Sequence, residues 1–458
     1  MAGNISSLGI GSGVLTADII DKLKAADESS TVTPIGNKIT FNKQKQEAST
    51  LLTSLMKSFK TNTSSLSDSL VFTNKTLSIS GTLDATVTKG ANVESFSLET
   101  VTLAKKDVTK LGALSSRTTP IASGSGVLKI NDFEIAYTAA TTLEDLTQAI
   151  IDKAGDKVSA SILKTGDDAY NLIISSKKTG AAEALTITDS GGKLDSKLFS
   201  AYDETTNPTG YKKTQTASDA KFKYNGIETI RNTNEISDLV YGLNITLKKE
   251  GDTSNVNITS DYKEIYDNMK LFSDSYNTLM SNLKDTTTKN SDKGTQGVFI
   301  DNTFIRSIGR DLTKSVLASD VDGNSLANYG ISIDKTGKMS FDKTVLETKL
   351  KEDPKAVELF FTGGITSSGI EKTGAFKTID EKMANYTASG KTLSTFDTSL
   401  KTEATKLEKE KTVAQKALDA RYDAMIKKFA AYDSMINKIN TQFASLKSMI
   451  DAEANSDN

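Results

Sequence analysis

The sequence predicts an α+β protein: an elongated, antiparallel α-helical coiled-coil bundle built from the N- and C-terminal segments, with β-rich head domains inserted between them. Three observations predict it. From Leu418 the apolar residues fall at Tyr422, Met425, Phe429, Tyr432, Ile436, Ile439, Phe443, Leu446 and Ile450, and after the first step of four the spacings alternate three and four. That is the a/d seam of a coiled coil. A second such seam runs through Tyr262, Ile265, Met269, Phe272, Tyr276, Leu279 and Leu283. A third follows Ile35, Ile39, Leu52, Leu55, Phe59, Leu66 and Leu70, broken by polar Asn42, Gln46 and Asn62. Seams of one kind at both ends and in the middle of a chain pair with each other, and the β-type stretch between two of them becomes an excursion out of the bundle.

Taken in order, residues 1–34 are rich in Gly, Ser and Thr and hold one short amphipathic piece around Val14, Leu15, Ile19, Ile20 and Leu23. Alone it is too short for a stable helix in water, so it is expected to be disordered until bound. Helical periodicity takes over from 35 to 70. Residues 74–260 then read as strands (TLSIS, DATVT, SFSLETVTL, VLKI, FEIAY, VSASI, NLIIS, ALTIT) separated by Gly, Asn and Asp. Two short helices interrupt them. One starts at Thr142 with Asp145 as a capping-box partner; the other is expected near Glu235–Tyr241. The loop 190–210, rich in Gly, Asp, Asn and Pro, reads either as a seam between sub-domains or as a surface loop. Beyond the second seam come a helix through Ile305, Ile308, Leu312 and Val316, a hairpin over 331–341 turning at Gly337, and a short helix opened by Asp353-Pro354. Phe376–Ala388 reads as a further helix before the last seam.

Composition excludes whole classes of chemistry. The 458 residues contain no His, Cys or Trp. General-base catalysis by His, thiol chemistry, Cys/His zinc sites and haem–His ligation are therefore unavailable, leaving carboxylates alone. The apolar share is 37%, below the roughly 45–50% usual for globular domains, as suits much surface per residue. Net charge is −2, with no basic footprint for nucleic acid, and no apolar run is long enough to insert in a membrane. The N-terminus lacks the basic and continuous apolar regions of a cleaved secretory signal.

Each apparent chemical motif has a plainer reading. DVDGNS at 320–325 resembles a calcium loop, but Gly323 stands fourth instead of sixth and the twelfth position is Ile331, so a turn fits better. Glu144 with Asp145, and Asp167 with Asp168, are adjacent carboxylates that point apart; capping and solvation account for them. Tyr422 and Tyr432 fall on helical spacing and read as core. Tyr202 and Tyr211 are the only aromatic hint of sugar stacking. GIGSG near the N-terminus lacks both a preceding strand and a Walker Lys. No catalytic, cofactor or metal residue is assigned.

Several stretches together resemble one family. SSLGIGSGVLTADIIDKL (6–23) is similar to the opening of flagellar filament cap proteins, the hook-associated protein 2 family. GVLKINDFEIAYTAATTLEDLTQAIID (126–152) resembles the hook-IN motif shared by hook-associated proteins and flagellins. FKYNGIETIRNTNEISDLVYGLNITLKK (222–249), with Asn225-Gly226, Arg231-Asn232 and Tyr241-Gly242-Leu243, is similar to caps in particular, as are GISIDKTGKMSFD and the tail 421–450. The resemblance covers nearly the whole chain.

It implies a secreted structural protein at the distal tip of the bacterial flagellum, exported unfolded by the flagellar type III apparatus. Its copies would form a ring of four to six subunits that helps exported flagellin fold and insert. Further implied partners are hook–filament junction proteins and a cytosolic export chaperone on the C-terminal helix. The expected organisation is a terminal export region over 1–34, leg helices over 35–73, head over 74–118 and 216–260, an outer head domain with the hook-IN motif over 119–215, the leg bundle over 261–435, and a terminal region over 436–458. Both ends carry apolar stripes with too little chain nearby to bury them, so Leu8, Ile10, Leu15, Ile19, Ile20, Leu23, Ile436, Ile439, Phe443, Leu446 and Ile450 are expected to pack on the filament. Alternative readings are a flagellin or hook–filament junction subunit, whose Leu-, Asn- and Arg-rich N-terminal block is missing here, and a flagellar-tip adhesin.

Overall fold

The computed structural model describes residues 17–290 and 295–454. The chain is α+β and divides into a helical unit formed by residues up to 69 and from 263 onward, and a β-rich unit over 70–262.

The chain enters through α1 (Ala17–Thr31) and α2 (Thr33–Ser67), joined at Val32 with Pro34 in the first turn of α2, where its missing N–H costs nothing. The expected disorder over 1–34 is thus corrected for residues 17–34. A lone 15-residue helix is marginal in water, but Ile20 and Val32 are buried against Leu418 and Tyr422 far along the chain. Packing supplies what the local sequence lacks. Along α2 the buried positions are Asn42, Ser49, Leu52, Met56, Phe59, Thr63 and Leu66. Asn42, read as a break in the stripe, lies on it and donates to Glu403 at 3.3 Å.

The β-rich unit has two cores. Strands β1 (Lys75–Ser80), β2 (Asp84–Val87) and β3 (Phe96–Thr102) lead to β4 (Val108–Lys110), where the chain passes into the second core. That core holds β5 (Gly126–Ile130), β6 (Phe133–Tyr137), α3 (Leu143–Ala154), β7 (Val158–Gly166), β8 (Ala169–Ser176), β9 (Ile187–Asp189) and β10 (Lys212–Gln215). Its sheets run β10-β4-β8-β7 and β6-β5-β9. Helix α3 buries Leu143, Leu146 and Ile150 in a cluster with Leu128, Ile135 and Ile174. Thr142 Oγ1 accepts from the Asp145 amide at 3.1 Å while Asp145 accepts from the Thr142 amide at 3.0 Å, a complete capping box. Thr142→Ala is expected to cost about 1 kcal/mol, measurable as a lower urea midpoint with an unchanged slope.

The chain returns through β11 (Ala220–Tyr224), β12 (Ile227–Arg231), β13 (Glu235–Ile236), β14 (Leu243–Thr246) and β15 (Asp252–Ser260). The first core lies among sheets β1-β15-β3-β11-β12 and β13-β14-β2, around Leu98, Phe222, Leu243, Ile245 and Val256. Lys105 and Ser218 exchange backbone hydrogen bonds at 2.9 and 3.2 Å where the chain crosses between the cores. Leu111 and Leu114 already belong to the second core, which therefore draws on residues before 119. Leu194 and Leu198 lie in that same core, which makes 190–210 an internal loop of one body. The helix expected near Glu235–Tyr241 is instead the short strand β13 followed by a turn; Ile236 is buried through pairing with Ile245, a contact a single helical turn could not nucleate.

Helix α4 (Lys263–Thr287) re-enters the helical unit and buries Ile265, Met269, Phe272, Tyr276, Leu279 and Leu283, as its 3/4 spacing predicts. The short pair β16 (Lys289–Asn290) and β17 (Thr295–Gln296) precedes α5 (Thr303–Val316), which Asn302 caps by accepting from the Ile305 amide at 3.0 Å. Hairpin β18 (Ile331–Ile333)–β19 (Met339–Phe341), helices α6 (Lys343–Glu352) and α7 (Pro354–Thr362), hairpin β20 (Gly363–Ile365)–β21 (Glu371–Thr373) and α8 (Ala375–Thr387) follow. The last helix, α9 (Thr392–Ala454), has 63 residues, about 95 Å at 1.5 Å per residue. Helices α4, α8 and α9 pack on α2. Phe272 sits at the centre, its ring 5.0 Å from Phe59 and 5.1 Å from Phe376.

Tyr386 on α8 donates to Asp311 on α5 at 2.9 Å. Desolvation, then that hydrogen bond and the Asp311 charge, push its phenol up to about 12 from 10.0. A folded-state value above the unfolded one gives stability that is complete below about pH 10 and lost as pH rises toward 12. Tyr386→Phe is expected to remove that alkaline loss, which parallel urea melts of the two proteins across this window would resolve.

Candidate assembly surface

The tail helix divides into a covered part and an uncovered part. Buried apolar α9 residues are Leu393, Leu400, Leu407, Leu418 and Tyr422. At the last two, α1 lies against α9: Ile20, Val32, Leu418 and Tyr422 form a small core with Ala414, Met425, Ile426 and Ala430 partly covered around it. Polar contacts fix the pairing. Tyr422 Oη donates to Asp27 at 2.8 Å, Arg421 reaches the same carboxylate at 3.1 Å, and Lys24 pairs with Asp419 at 2.7 Å. The hydrogen bond from Lys24 holds the Asp419 carboxyl below its ordinary value, and Asp419 in turn raises the Lys24 ammonium. Both groups face solvent, so the pair orients more than it stabilises. Burial, then the bond to Asp27, raises the Tyr422 phenol.

Beyond Ala430 the polar Asp433, 4% exposed, is still buried, while the apolar seam runs out into solvent. Ile439 is 45% exposed, Phe443 69%, Leu446 54% and Ile450 58%, and Ile436 is half-buried. Tyr432, Met435 and Met449 are exposed beside them. Met435 and Met449 stand one residue off the a/d register and were missed for that reason. Together with the seam they widen it to a broad exposed apolar face.

The residues expected at this surface therefore separate. Ile439, Phe443, Leu446 and Ile450 lie on one exposed face of α9. Ile19 and Leu23 are exposed on α1, at 39% and 46%. Ile20 is the correction: at 1% exposure it is core, placed there by its position one residue round the helix from Ile19. Leu8, Ile10 and Leu15 lie outside the described residues.

The other motifs resolve into structure. Asp320 Oδ1 accepts from the amides of Asp322 and Asn324 at 2.9 and 2.8 Å, closing a turn. Glu144 pairs with Arg117 at 3.1 Å, and Asp167 and Asp168 form the exposed β7–β8 turn. Among the described residues no cluster of acidic side chains is arranged to hold a metal. Tyr202 is half-buried under Lys212, whose ammonium lies 4.0 Å from its ring centre, and Tyr211 packs on Phe199. No helix among the described residues is long and apolar enough to cross a membrane.

Comparison with known proteins gives this arrangement its context. Models of the N- and C-terminal regions of flagellar hook-associated protein 2 match residues 12–107 and 217–441. The Campylobacter jejuni flagellar hook-associated protein 2 is 32% identical over 426 residues, covering 81% of this chain and 66% of that protein. The Escherichia coli K12 protein is 26% identical over 473 residues, 99% of each chain. A Helicobacter pylori relative, 30% identical over 391 residues and 80% of this chain, is matched over 56% of its length, so the chain spans about two thirds or less of the relatives from Campylobacter and Helicobacter. The crystal structure of the D1-D2-D3 domains of the Escherichia coli flagellar cap protein superposes with a TM-score of 0.57 at 24% identity, over 77% of this chain and 99% of that one, a likeness of fold. With both terminal models matched and a relative aligned over four fifths of the present chain, this chain belongs to the flagellar hook-associated protein 2 family, whose members are structural components of the flagellum.

Proposed function

We propose that this chain caps the growing flagellar filament. Copies of it form a closed ring at the distal, extracellular tip, and the ring promotes folding and insertion of exported flagellin without covalent chemistry of its own. The observation that carries the reading is the uncovered apolar face of α9 from Tyr432 to Ile450, next to an α1 whose Ile19 and Leu23 are also exposed. A face of that size on a secreted protein calls for a partner, and hook–filament junction proteins or flagellin would supply one outside the cell. Before export, a cytosolic chaperone on the same helix would keep it soluble. The absence of His and Cys from the sequence agrees with a structural role.

The test is complementation of a cap-deleted strain, read as filament length and swimming, together with the mass of the purified protein by light scattering. Rings of a few subunits and restored filaments support the reading. Long homopolymers would mean a filament subunit instead, and a monomer that restores nothing would end the proposal. The burial of Ile20 and Val32 also decides where an N-terminal truncation is informative. Removing residues 1–34 uncovers Leu418 and Tyr422, whereas removing 1–16 leaves the α1–α9 core whole and isolates the terminal segment.

A further inference from the structure

We propose that the cleft between α4, α5 and the β18–β19 hairpin is a binding site for an acidic polypeptide segment, with Arg306 and Arg310 as its carboxylate-gripping pair. This goes beyond capping and does not rest on it. The chain has only five arginines. Three are paired with carboxylates: Arg117 with Glu144 at 3.1 Å, Arg231 with Asp238 at 3.0 Å and Arg421 with Asp27 at 3.1 Å. The other two, Arg306 and Arg310, make no ion pair with a described residue and stand one helical turn apart on α5, both exposed.

They line the same cleft, a cavity of about 520 Å³ that also takes in Lys284 and Lys338, and they line a second cavity of about 520 Å³ with Thr287 and Thr303. Four cations therefore line one cleft, and no carboxylate of a described residue lines either cavity. Asp334, near Lys338, is engaged by its own turn, accepting from the amides of Thr336 and Lys338 at 2.7 and 3.0 Å. The floor is apolar, with Leu283, Ile305 and Met280. Gly309, buried between the arginines, brings α5 close to α4: a Cβ there would meet Met280 Cε at 3.4 Å.

Like charges at i and i+4 repel and weaken a helix. An uncompensated pair in a protein otherwise sparing of arginine is a stability cost of the kind function imposes. Guanidinium forks match carboxylates in a planar, two-bonded geometry that Lys cannot copy. An apolar floor with polar walls suits an extended peptide bearing acidic side chains better than a lone small anion.

The test uses the full chain and fluorescein-labelled hexaglutamate, followed by anisotropy at low and moderate salt. Labelled hexalysine is the charge control, and inorganic phosphate the competitor. Hexaglutamate should bind and hexalysine should not. The double variant Arg306→Gln/Arg310→Gln should weaken binding about tenfold or more, with Arg306→Lys/Arg310→Lys in between. Neutralising Lys409 and Lys411 on α9, both exposed, should change it little. The Gln variant should melt at or above the parent temperature, because the repulsion is gone, so its lost binding cannot be put down to unfolding. No binding, equal binding by the Gln variant, or displacement by phosphate at equal charge concentration would overturn the proposal.

Discussion

A chain carrying both Ile439→Asp and Phe443→Asp is expected to fold as the parent does and to lose assembly altogether. The two side chains are 45% and 69% exposed on α9, four residues apart on one face, so the folded monomer gives up little beyond Asp's weaker helix propensity, roughly 0.5 kcal/mol each. In the proposed assembly the same positions are covered. Burying a large apolar side chain is worth about 1.5–3 kcal/mol, and an unpaired carboxylate in its place adds a desolvation cost of at least similar size. Two such changes exceed about 5 kcal/mol, more than a thousandfold in association. Unchanged circular dichroism and melting, with a monomeric mass and no restored filaments, is the expected result. Normal rings from this variant would remove the α9 face from the assembly surface and leave Ile19 and Leu23 as its remaining described members.

The division of α9 into a covered and an uncovered part could not be read from its spacing. The 3/4 alternation is the same from Leu418 to Ile450, and only the position of α1, a segment almost four hundred residues away in sequence, decides that Tyr422 is core and Phe443 is not. The seam through Ile265–Leu283 was legible because its partners are apolar and period alone fixes the buried face. The α2 seam was half legible. Asn42 and Ser49 break the apolar pattern yet lie on the buried face, because Glu403 and Asp397 meet them there; long-range polar pairing leaves no periodic trace. In the β-rich unit the alternating strands announced themselves, while β4 and β10, three and four residues with lysines, did not. The capping box at Thr142 was readable because both partners are local. The arginine cleft was not, since Lys284, Arg306 and Lys338 converge only when α4, α5 and the hairpin are packed.

The packing argument for the helical unit has one sharp consequence. Phe272→Ala should destabilise it by about 3–5 kcal/mol, a large share of the 5–15 kcal/mol that holds a typical domain. Phe272 is fully buried and is the ring through which α2 and α8 both meet α4, by way of Phe59 and Phe376. Phe376 in turn stacks edge-on with Phe361 of α7 at 4.8 Å, so a cavity at 272 has rigid aromatic walls and little means of collapsing. Aromatic pairs add about 0.5–1.5 kcal/mol beyond burial, and two ring contacts, one tilted and one edge-to-face, are lost together. The adjacent Leu271 is 50% exposed, and Leu271→Ala, on the same helix turn, should stay within about 0.5 kcal/mol of the parent. Urea melts followed by far-ultraviolet ellipticity, dominated by the helices, separate the two. A loss below about 1 kcal/mol for Phe272→Ala would mean that the aromatic cluster is not what holds α2, α4 and α8 together, and that the polar contacts along α2, Lys60 with Asp380 at 3.0 Å among them, carry more of the bundle than their exposure suggests.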